Sequence, residues 1–394
     1  MDDERTADEA ARRLAELRGA VRLIGEGVAA ATDVVQDMQR AISATPLAVL
    51  AAVHPVGGAA RKVHEGVRDG VYAAVRGASR LLFRAADVAL ERGSWRPQGA
   101  LSGPVVGALR GVIGDHLAQG DNPLGCAMQL RMSSQAGPTE QALVLTREAV
   151  AAALPAAGPK LAVFVHGLAC DESCWSRGAT QRESADYAAL LAERHGYTTL
   201  QVRYNSGLRV ADNGAALATL LGELAAVYPG GITRLVLIGH SMGGLVARSA
   251  AHHGQVSGAA WVEGLRDVVC LGSPQLGAPL EQLGAAAVAV LAAIGVTAPL
   301  ARVFDARSAG IKDMHTGAIV DAGEAQRPPR TRYHSIAGSL GGPGHPIGWA
   351  LGDGMVRVRS AHAGEDGVRI PGLHHMDLLN HPAVFAEIEA ALAD

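Results

Sequence analysis

The strongest chemical signal in the chain is Leu235-Val-Leu-Ile-Gly-His-Ser-Met-Gly-Gly-Leu245. An apolar run leads directly into Gly239-x-Ser241-x-Gly243, and helix-forming residues follow. A strand-to-helix turn this tight needs small residues two positions either side of the serine, because a side chain there would strike neighbouring backbone. The pattern predicts Ser241 as a nucleophile held in a strained conformation. A serine hydroxyl attacks only when a base removes its proton and a third group orients that base. Its transition state also needs N–H donors for the developing oxyanion. The turn supplies one of these, the backbone N–H of Met242 at the start of the helix. The second is expected after an earlier strand. Leu161-Ala-Val-Phe-Val-His166-Gly167-Leu168 ends an apolar run in His-Gly, which makes the Leu168 amide the candidate. His166 precedes the nucleophile and is read as shaping this loop rather than as the base.

After a nucleophile of this type the acid follows, and the base comes last, on the loop before the closing helix. The stretch from Val368 to Pro382 fits that description and offers three histidines, His374, His375 and His381. His381 precedes Pro382 and is expected to help begin the helix. Residue physics alone leaves the choice between His374 and His375 open. For the acid, Asp353 lies between Gly352 and Gly354, past a predicted strand at Tyr333–Ala337. An Asp-Gly turn would account for it without chemistry, yet its place beyond a strand end suits a carboxylate pointing into a cleft. Asp305, Asp313 and Asp321 are alternatives inside a long insertion.

Elements that could hold these groups in place are legible beyond Pro159. Leu161–Val165 and Arg234–Ile238 are continuous apolar runs, as strands buried on both faces should be. Between and after them come a helical Ser184–Glu193, a strand Thr198–Arg203, helices at Gly214–Val227 and Gly243–Ala251, and a strand Val268–Leu271. This alternation implies a mainly parallel sheet with helices on both sides. Upstream, a helix is expected over Val105–Leu117 and strands over Ala127–Met132 and Ala142–Leu145. About sixty residues separate Ser273 from Arg332, far more than an ordinary connection. The centre of that insertion, Leu283–Leu300, is apolar all round, which suits a helix buried under a cap or a lid that meets lipid.

Residues 1–100 read differently. Val63, Val67, Val71, Val75, Ala78, Leu82, Ala85 and Ala89 recur in steps of three and four, and place one apolar stripe on a helix. An earlier stretch, Ala10–Ala41, has similar periodicity. The expectation is a helical arm whose stripe packs against the rest of the chain; an amphipathic helix lying on an anionic membrane is the alternative. The domains are accordingly drawn as an arm over 1–100 and a larger domain over 101–394, with a cap or lid at about 275–330.

Composition excludes several classes. Among 394 residues, 48% are hydrophobic and 19% charged, so a full-sized core is available and global disorder is out. The 35 basic residues are balanced by 38 acidic ones, which leaves no basic excess to drive nucleic-acid binding. Four cysteines exclude a disulfide scaffold; Cys170 and Cys174 are read as structural. The acidic start, Met-Asp-Asp-Glu-Arg, does not look like an export signal, and the expected location is cytoplasmic, with peripheral membrane contact through the N-terminal helices or the cap as a possibility.

Four motifs in order, Val165-His-Gly-Leu168, Gly239-His-Ser-Met-Gly-Gly244, Gly352-Asp-Gly-Met-Val356 and His374-His-Met-Asp377, resemble bacterial lipases and esterases of the α/β-hydrolase fold. They also look like hydrolases related to GPI inositol deacylase. Tyr204-Asn-Ser-Gly207, Gly272-Ser-Pro-Gln-Leu-Gly277 and Arg307-Ser-Ala-Gly-Ile311 look like a bacterial subgroup of lipase-like hydrolases. The resemblance covers about residues 125–394 and leaves the arm outside it. In such lipases the acid lies some twenty residues before the base, and this implies His375 over His374 as the partner of Asp353. It implies no organic cofactor. Asp377 matches a carboxylate that binds calcium in some of these lipases, but no second ligand is evident, so no metal is expected. The resulting expectation is an ester hydrolase with Ser241, His375 and Asp353 as triad and the Leu168 and Met242 amides as oxyanion hole, acting on an ester or lipid-like small molecule. Acyl transfer, thioester or amide cleavage on the same triad, or a scaffold with an idle site, are the alternatives.

Overall fold

The structure, a computed structural model, describes residues 13–26 with a few flanking positions (11, 28, 29 and 36), and residues 57–92, 103–132, 142–176, 185–279, 308–340, 352–362 and 367–393. The chain divides into two compact units. One contains the described residues up to Arg92 together with Leu117–Leu124; the other contains Gly103–His116 and the described residues from Gly125 onward. The apolar centre of the expected cap, 283–300, lies outside the described residues.

The second unit is built on one seven-stranded sheet. Its strands are β1 (Gln129–Met132), β2 (Lys160–Val165), β3 (Thr198–Arg203), β4 (Arg234–His240), β5 (Leu265–Leu271), β6 (Arg332–Ser339) and β7 (Gly367–Pro371). They lie in the order β1-β3-β2-β4-β5-β6-β7. Only β1 runs antiparallel, against β3; every other pairing is parallel. This is the architecture expected of an α/β-hydrolase fold. All residues of β2 after Lys160 and of β4 after Arg234 are buried, because helices cover both faces and leave no solvated side.

On one face Ala162, Phe164, Val236 and Ile238 pack with α4 (Tyr187–His195) and α9 (Pro382–Leu392) through Tyr187, Leu191, Phe385 and Ile388. The Tyr187 and Phe385 rings stack at 5.7 Å. The Tyr187 hydroxyl is shared between the carbonyls of Leu378 (3.2 Å) and His381 (3.0 Å), which ties the loop before α9 to α4. Against the opposite face lie α5 (Val210–Val227) and α6 (Met242–Ser257). They cross closely enough that a Cβ on Gly214 would stand 2.1 Å from Ser249 Oγ. The remaining helices are α2 (Gly103–Gln119), α3 (Arg147–Ala153), α7 (Ala309–Thr316) and α8 (Val358–His362).

Local chemistry moves several predicted boundaries. α5 begins one turn earlier than Gly214 because Asp313 Oδ2 accepts the Val210 N–H at 2.8 Å and caps its first turn. α4 begins after Asp186, whose side chain accepts from Ala189 N, rather than at Ser184. Ala142–Leu145 is not a strand: one bond, Leu143 N to Leu130 O at 2.7 Å, joins it to β1, and Val144 is exposed. A single bond makes no ladder, and the alternation there reflects half-burial alone.

In the first unit, residues 13–26 are helical and α1 spans Gly57–Arg92. Of the apolar stripe, Val63 is 65% exposed, Val67 62%, Val71 56% and Leu82 66%. Facing the earlier helix, α1 presents Phe83, which packs on Gly25, together with charged groups. Asp87 is buried and accepts from Arg18 Nε at 2.7 Å and Arg22 Nε at 2.9 Å. Buried Gln36 bridges Asp69 and Arg76.

Candidate active site

The parallel register brings the carboxyl ends of β2 and β4–β7 to one edge of the sheet. Val165 pairs with Gly239, His240 with Leu271, Leu271 with Ile336, and Ser339 with Pro371. Backbone bonds carry this alignment one residue further: Ser241 N–H donates to Leu271 O, Gly272 N–H to Ile336 O, and Gly372 N–H to Ser339 O, at 2.7–2.8 Å. The exits of β4, β5 and β7 are therefore each fixed by a neighbouring strand.

Ser241 sits between β4 and α6 with φ 54° and ψ −122°, a backbone conformation that non-glycine residues rarely adopt. The turn is closed so tightly that a Cβ on Gly243 would lie 2.0 Å from Val165 O, and one on Gly239 would lie 2.3 Å from Gly244 N. Neither position has room for a side chain. Met242 N–H belongs to the first turn of α6, where amides have no intrahelical acceptor and the helix dipole favours negative charge.

His375 is buried, and its Nδ1–H donates to Asp353 Oδ2 at 2.7 Å. The other carboxylate oxygen, Oδ1, accepts from Met355 N at 3.0 Å and Val356 N at 2.8 Å. Burial alone would push the Asp353 carboxyl up; the His375 charge, its hydrogen bond and the two amides outweigh it and hold the carboxyl below its usual range. Because a carboxylate takes the Nδ1 proton, neutral His375 presents an unprotonated Nε2, which is buried and makes no hydrogen bond. Close packing holds the pair: a Cβ on Gly272 (φ 59°) would stand 3.1 Å from Asp353 Oδ2 and 3.2 Å from His375 Nδ1.

His240 links the two halves of the site. Its Nε2–H donates to the His375 carbonyl at 2.9 Å, and the two rings lie 4.7 Å apart. Trp175 meets the His240 ring edge-on at 6.4 Å. Burial, with the His375 charge beside it, pushes the His240 imidazole down to about 3, so it stays neutral.

The loop after β2 is pinned from several sides. His166 stacks on Tyr204 at 4.3 Å, the Tyr204 hydroxyl donates to His166 O at 2.7 Å, and His166 Nδ1–H donates to Gly167 O at 2.9 Å. Ala169, at φ 59°, donates its N–H to Ser206 Oγ at 3.1 Å. A Cβ on Gly167 would lie 3.1 Å from Ser241 Cβ, so the Leu168 amide follows directly on the residue that touches the serine. Behind this loop, buried Glu172 accepts from Arg203 Nε at 2.8 Å and pairs with Arg131 at 3.3 Å. The two arginines outweigh burial and keep its carboxyl below the ordinary range.

Other candidates have structural work. His374 caps the short turn His375–Leu379, and Asp377 Oδ2 accepts the His374 N–H at 2.8 Å. That bond engages one oxygen of the Asp377 carboxylate, and among the described residues no group of three or more His, Cys, Asp or Glu side chains gathers to hold a metal. His381 caps α9 through Ala383 N at 3.2 Å. Asp313 caps α5, exposed Asp321 pairs with Arg209, and Asp305 lies outside the described residues. No disulfide joins Cys170 to Cys174. Sequence reasoning gave no role to His240, Tyr204 or Gly272. All three lie in quoted motifs, and the missing signal was which way each side faces.

The model of the Alpha/beta hydrolase family matches residues 162–388. Among solved structures, the chain is similar to the mature form of Bacillus licheniformis lipase BlEst2, at 24% identity and a TM-score of 0.42, over 60% of this chain and 92% of that one. It is also similar to the RedJ thioesterase of the Streptomyces coelicolor prodiginine pathway, at 19% and 0.36 over 60% and 92%. A third likeness is to a lipase-esterase related protein from Clostridium acetobutylicum, at 13% and 0.39 over 68% and 100%. No curated protein matches the chain.

Proposed function

The chain belongs to the alpha/beta hydrolase family, and from that premise we propose that it is a lipase-like carboxylic-ester hydrolase working through an acyl-enzyme. The observation that carries this reading is the buried His375–Asp353 pair at 2.7 Å, which meets the ring of His240 next to a serine at a strained strand-to-helix turn.

In this reaction His375 Nε2 takes the Ser241 hydroxyl proton as Oγ bonds to the acyl carbon. The carbonyl π electrons move to the oxygen, which the Leu168 and Met242 N–H groups receive. Collapse expels the alkoxide, which takes the proton from His375. Water then attacks the acyl-serine with His375 again as base, and the acid leaves with Ser241 restored. Asp353 keeps the imidazole in one tautomer and stabilises its positive charge in between. The separation of His375 Nε2 from any partner suits a base that engages the hydroxyl once substrate is bound. Half-buried Leu168, and Met376 and Leu340 next to the His375 and Asp353 loops, are apolar, and favour an uncharged acyl chain.

The test is labelling with a fluorophosphonate and turnover of p-nitrophenyl esters from short to long acyl chains. Ester hydrolysis and labelling should both disappear in Ser241→Ala. Residual turnover above about a thousandth of wild type would sink the assignment of the nucleophile. Labelling without hydrolysis of any ester would keep the nucleophile and move the reaction to thioester cleavage or acyl transfer.

A further inference from the structure

The helices of the first unit bury charge between them, beside the half-buried Phe83 ring on which Gly25 packs. In a helical pair stable in water, apolar side chains meet between the helices and charges face out. Here Glu16, Gln36 and Asp87 are buried, and Arg18, Arg22 and Arg76 bond to the inward carboxylate or amide groups. Six apolar residues of α1 face outward: Val63, Val67, Val71, Leu81, Leu82 and Val88 are between 39% and 70% exposed. At about 100° per residue they fall within an arc of roughly 120°, a single stripe. From Val63 to Val88 that stripe runs for about 38 Å along the axis.

The border of the stripe is cationic. Lys62, Arg80 and Arg84 are exposed, and by helical spacing they flank one side of it. Over its length α1 has seven basic and four acidic residues. Two of the acids are directed toward arginines of the earlier helix, Asp87 to Arg18 and Arg22 and Glu91 to Arg18, while Asp69 is bonded to Arg68 and Gln36. With seven basic residues against four acidic ones, α1 carries a net positive charge, which complements an anionic surface.

We propose that this face of α1 is a docking surface for an anionic lipid bilayer, with the helix lying in the plane of the interface. An apolar stripe bordered by Lys and Arg is the arrangement that places side chains among acyl chains and cations among phosphates. The charges along α1 rule out a spanning orientation. The inference is independent of the reaction assigned to Ser241.

The experiment is flotation of the full chain with phosphatidylcholine vesicles and with vesicles that also contain phosphatidylglycerol. Binding should be roughly tenfold or more stronger to the anionic vesicles and should fall as salt rises from about 0.1 to 1 M, where screening shortens from about 10 to 3 Å. Leu81→Asp with Leu82→Asp should abolish it, and Arg80→Glu with Arg84→Glu should remove the anionic preference. Because all four residues are exposed, both variants should keep the wild-type circular dichroism and the rate on a soluble short-chain ester. No flotation with either vesicle overturns the proposal. So does a wild-type dimer that Leu81→Asp makes monomeric without any vesicle binding, which would assign the stripe to a second copy. Flotation unchanged in both variants would equally overturn it.

Discussion

The His240 Nε2–H donates to the backbone carbonyl of His375 at 2.9 Å. The residue immediately before the proposed nucleophile thus holds the main chain of the proposed base, and both are buried. Replacing His240 by Leu keeps the bulk and removes the donor. The expected result is a fall in kcat of about tenfold to a hundredfold with KM little changed, and slower fluorophosphonate labelling of Ser241. His240→Gln, which can donate, should recover part of the loss. Unchanged kcat in His240→Leu would show that this bond does not position the base.

A second expectation concerns acid. His240 in the fold binds its proton only near pH 3, whereas in the unfolded chain a histidine does so near 6.5. Between those values the unfolded state holds more protons, so stability rises with pH across the window and is lost as pH falls through it. Burial lowers His166 in the same direction. Asp353, whose carboxyl is held below its ordinary value, adds a further loss below about pH 3.8. Urea midpoints measured from pH 7 to 4 should decline, and His240→Leu should flatten that slope. A mutant with the wild-type slope would mean that His240 is not buried neutral.

The adjacent histidines separate cleanly. His375 bonds Asp353, while His374 caps a turn with Asp377. His375→Ala should cost nearly as much turnover as Ser241→Ala, since residues of a triad act as a unit. His374→Ala should leave kcat within about tenfold and lower stability by about 0.5–2 kcal/mol, the usual cost of a lost cap. Steady-state kinetics and a thermal melt on both variants decide it, and the opposite ranking would move the base by one residue.

Glu172 is 1% exposed and faces Arg203 and Arg131. Glu172→Gln strips the charge and leaves two arginines against a neutral amide, which should cost about 3–5 kcal/mol. Denaturant unfolding checks this. A destabilisation below about 1 kcal/mol would mean that water already screens the cluster.

Contiguous features were easy to see before the structure. β4 and the turn after it form one unbroken string, and each residue in Gly239–Gly243 is constrained by its immediate neighbours. Features that depend on facing were not. Three histidines between His374 and His381 have equal claims by type, and what separates them is which one turns toward Asp353 and which ones spend their side chains on caps. Asp313 and Asp353 likewise differ through the groups they meet, a helix amide in one case and an imidazole in the other. The stripe from Val63 shows the same limit. Periodicity says which residues share a side of α1, but the side turned inward is decided by Arg18 and Arg22 reaching Asp87 from a distant part of the chain.

The strand exits are joined in series, Ser241 to Leu271, Gly272 to Ile336 and Gly372 to Ser339. A ribosome delivers those pieces in the same order in which the bonds connect them. Until the loop after β7 has emerged, Ser241 has no His375 imidazole to meet, although Asp353 has already been made. A nascent chain that has already folded its first strands would then be chemically silent, and so would any product of premature termination before His375. The reactive hydroxyl would gain its strength only with the last strand, after the walls that confine it are standing.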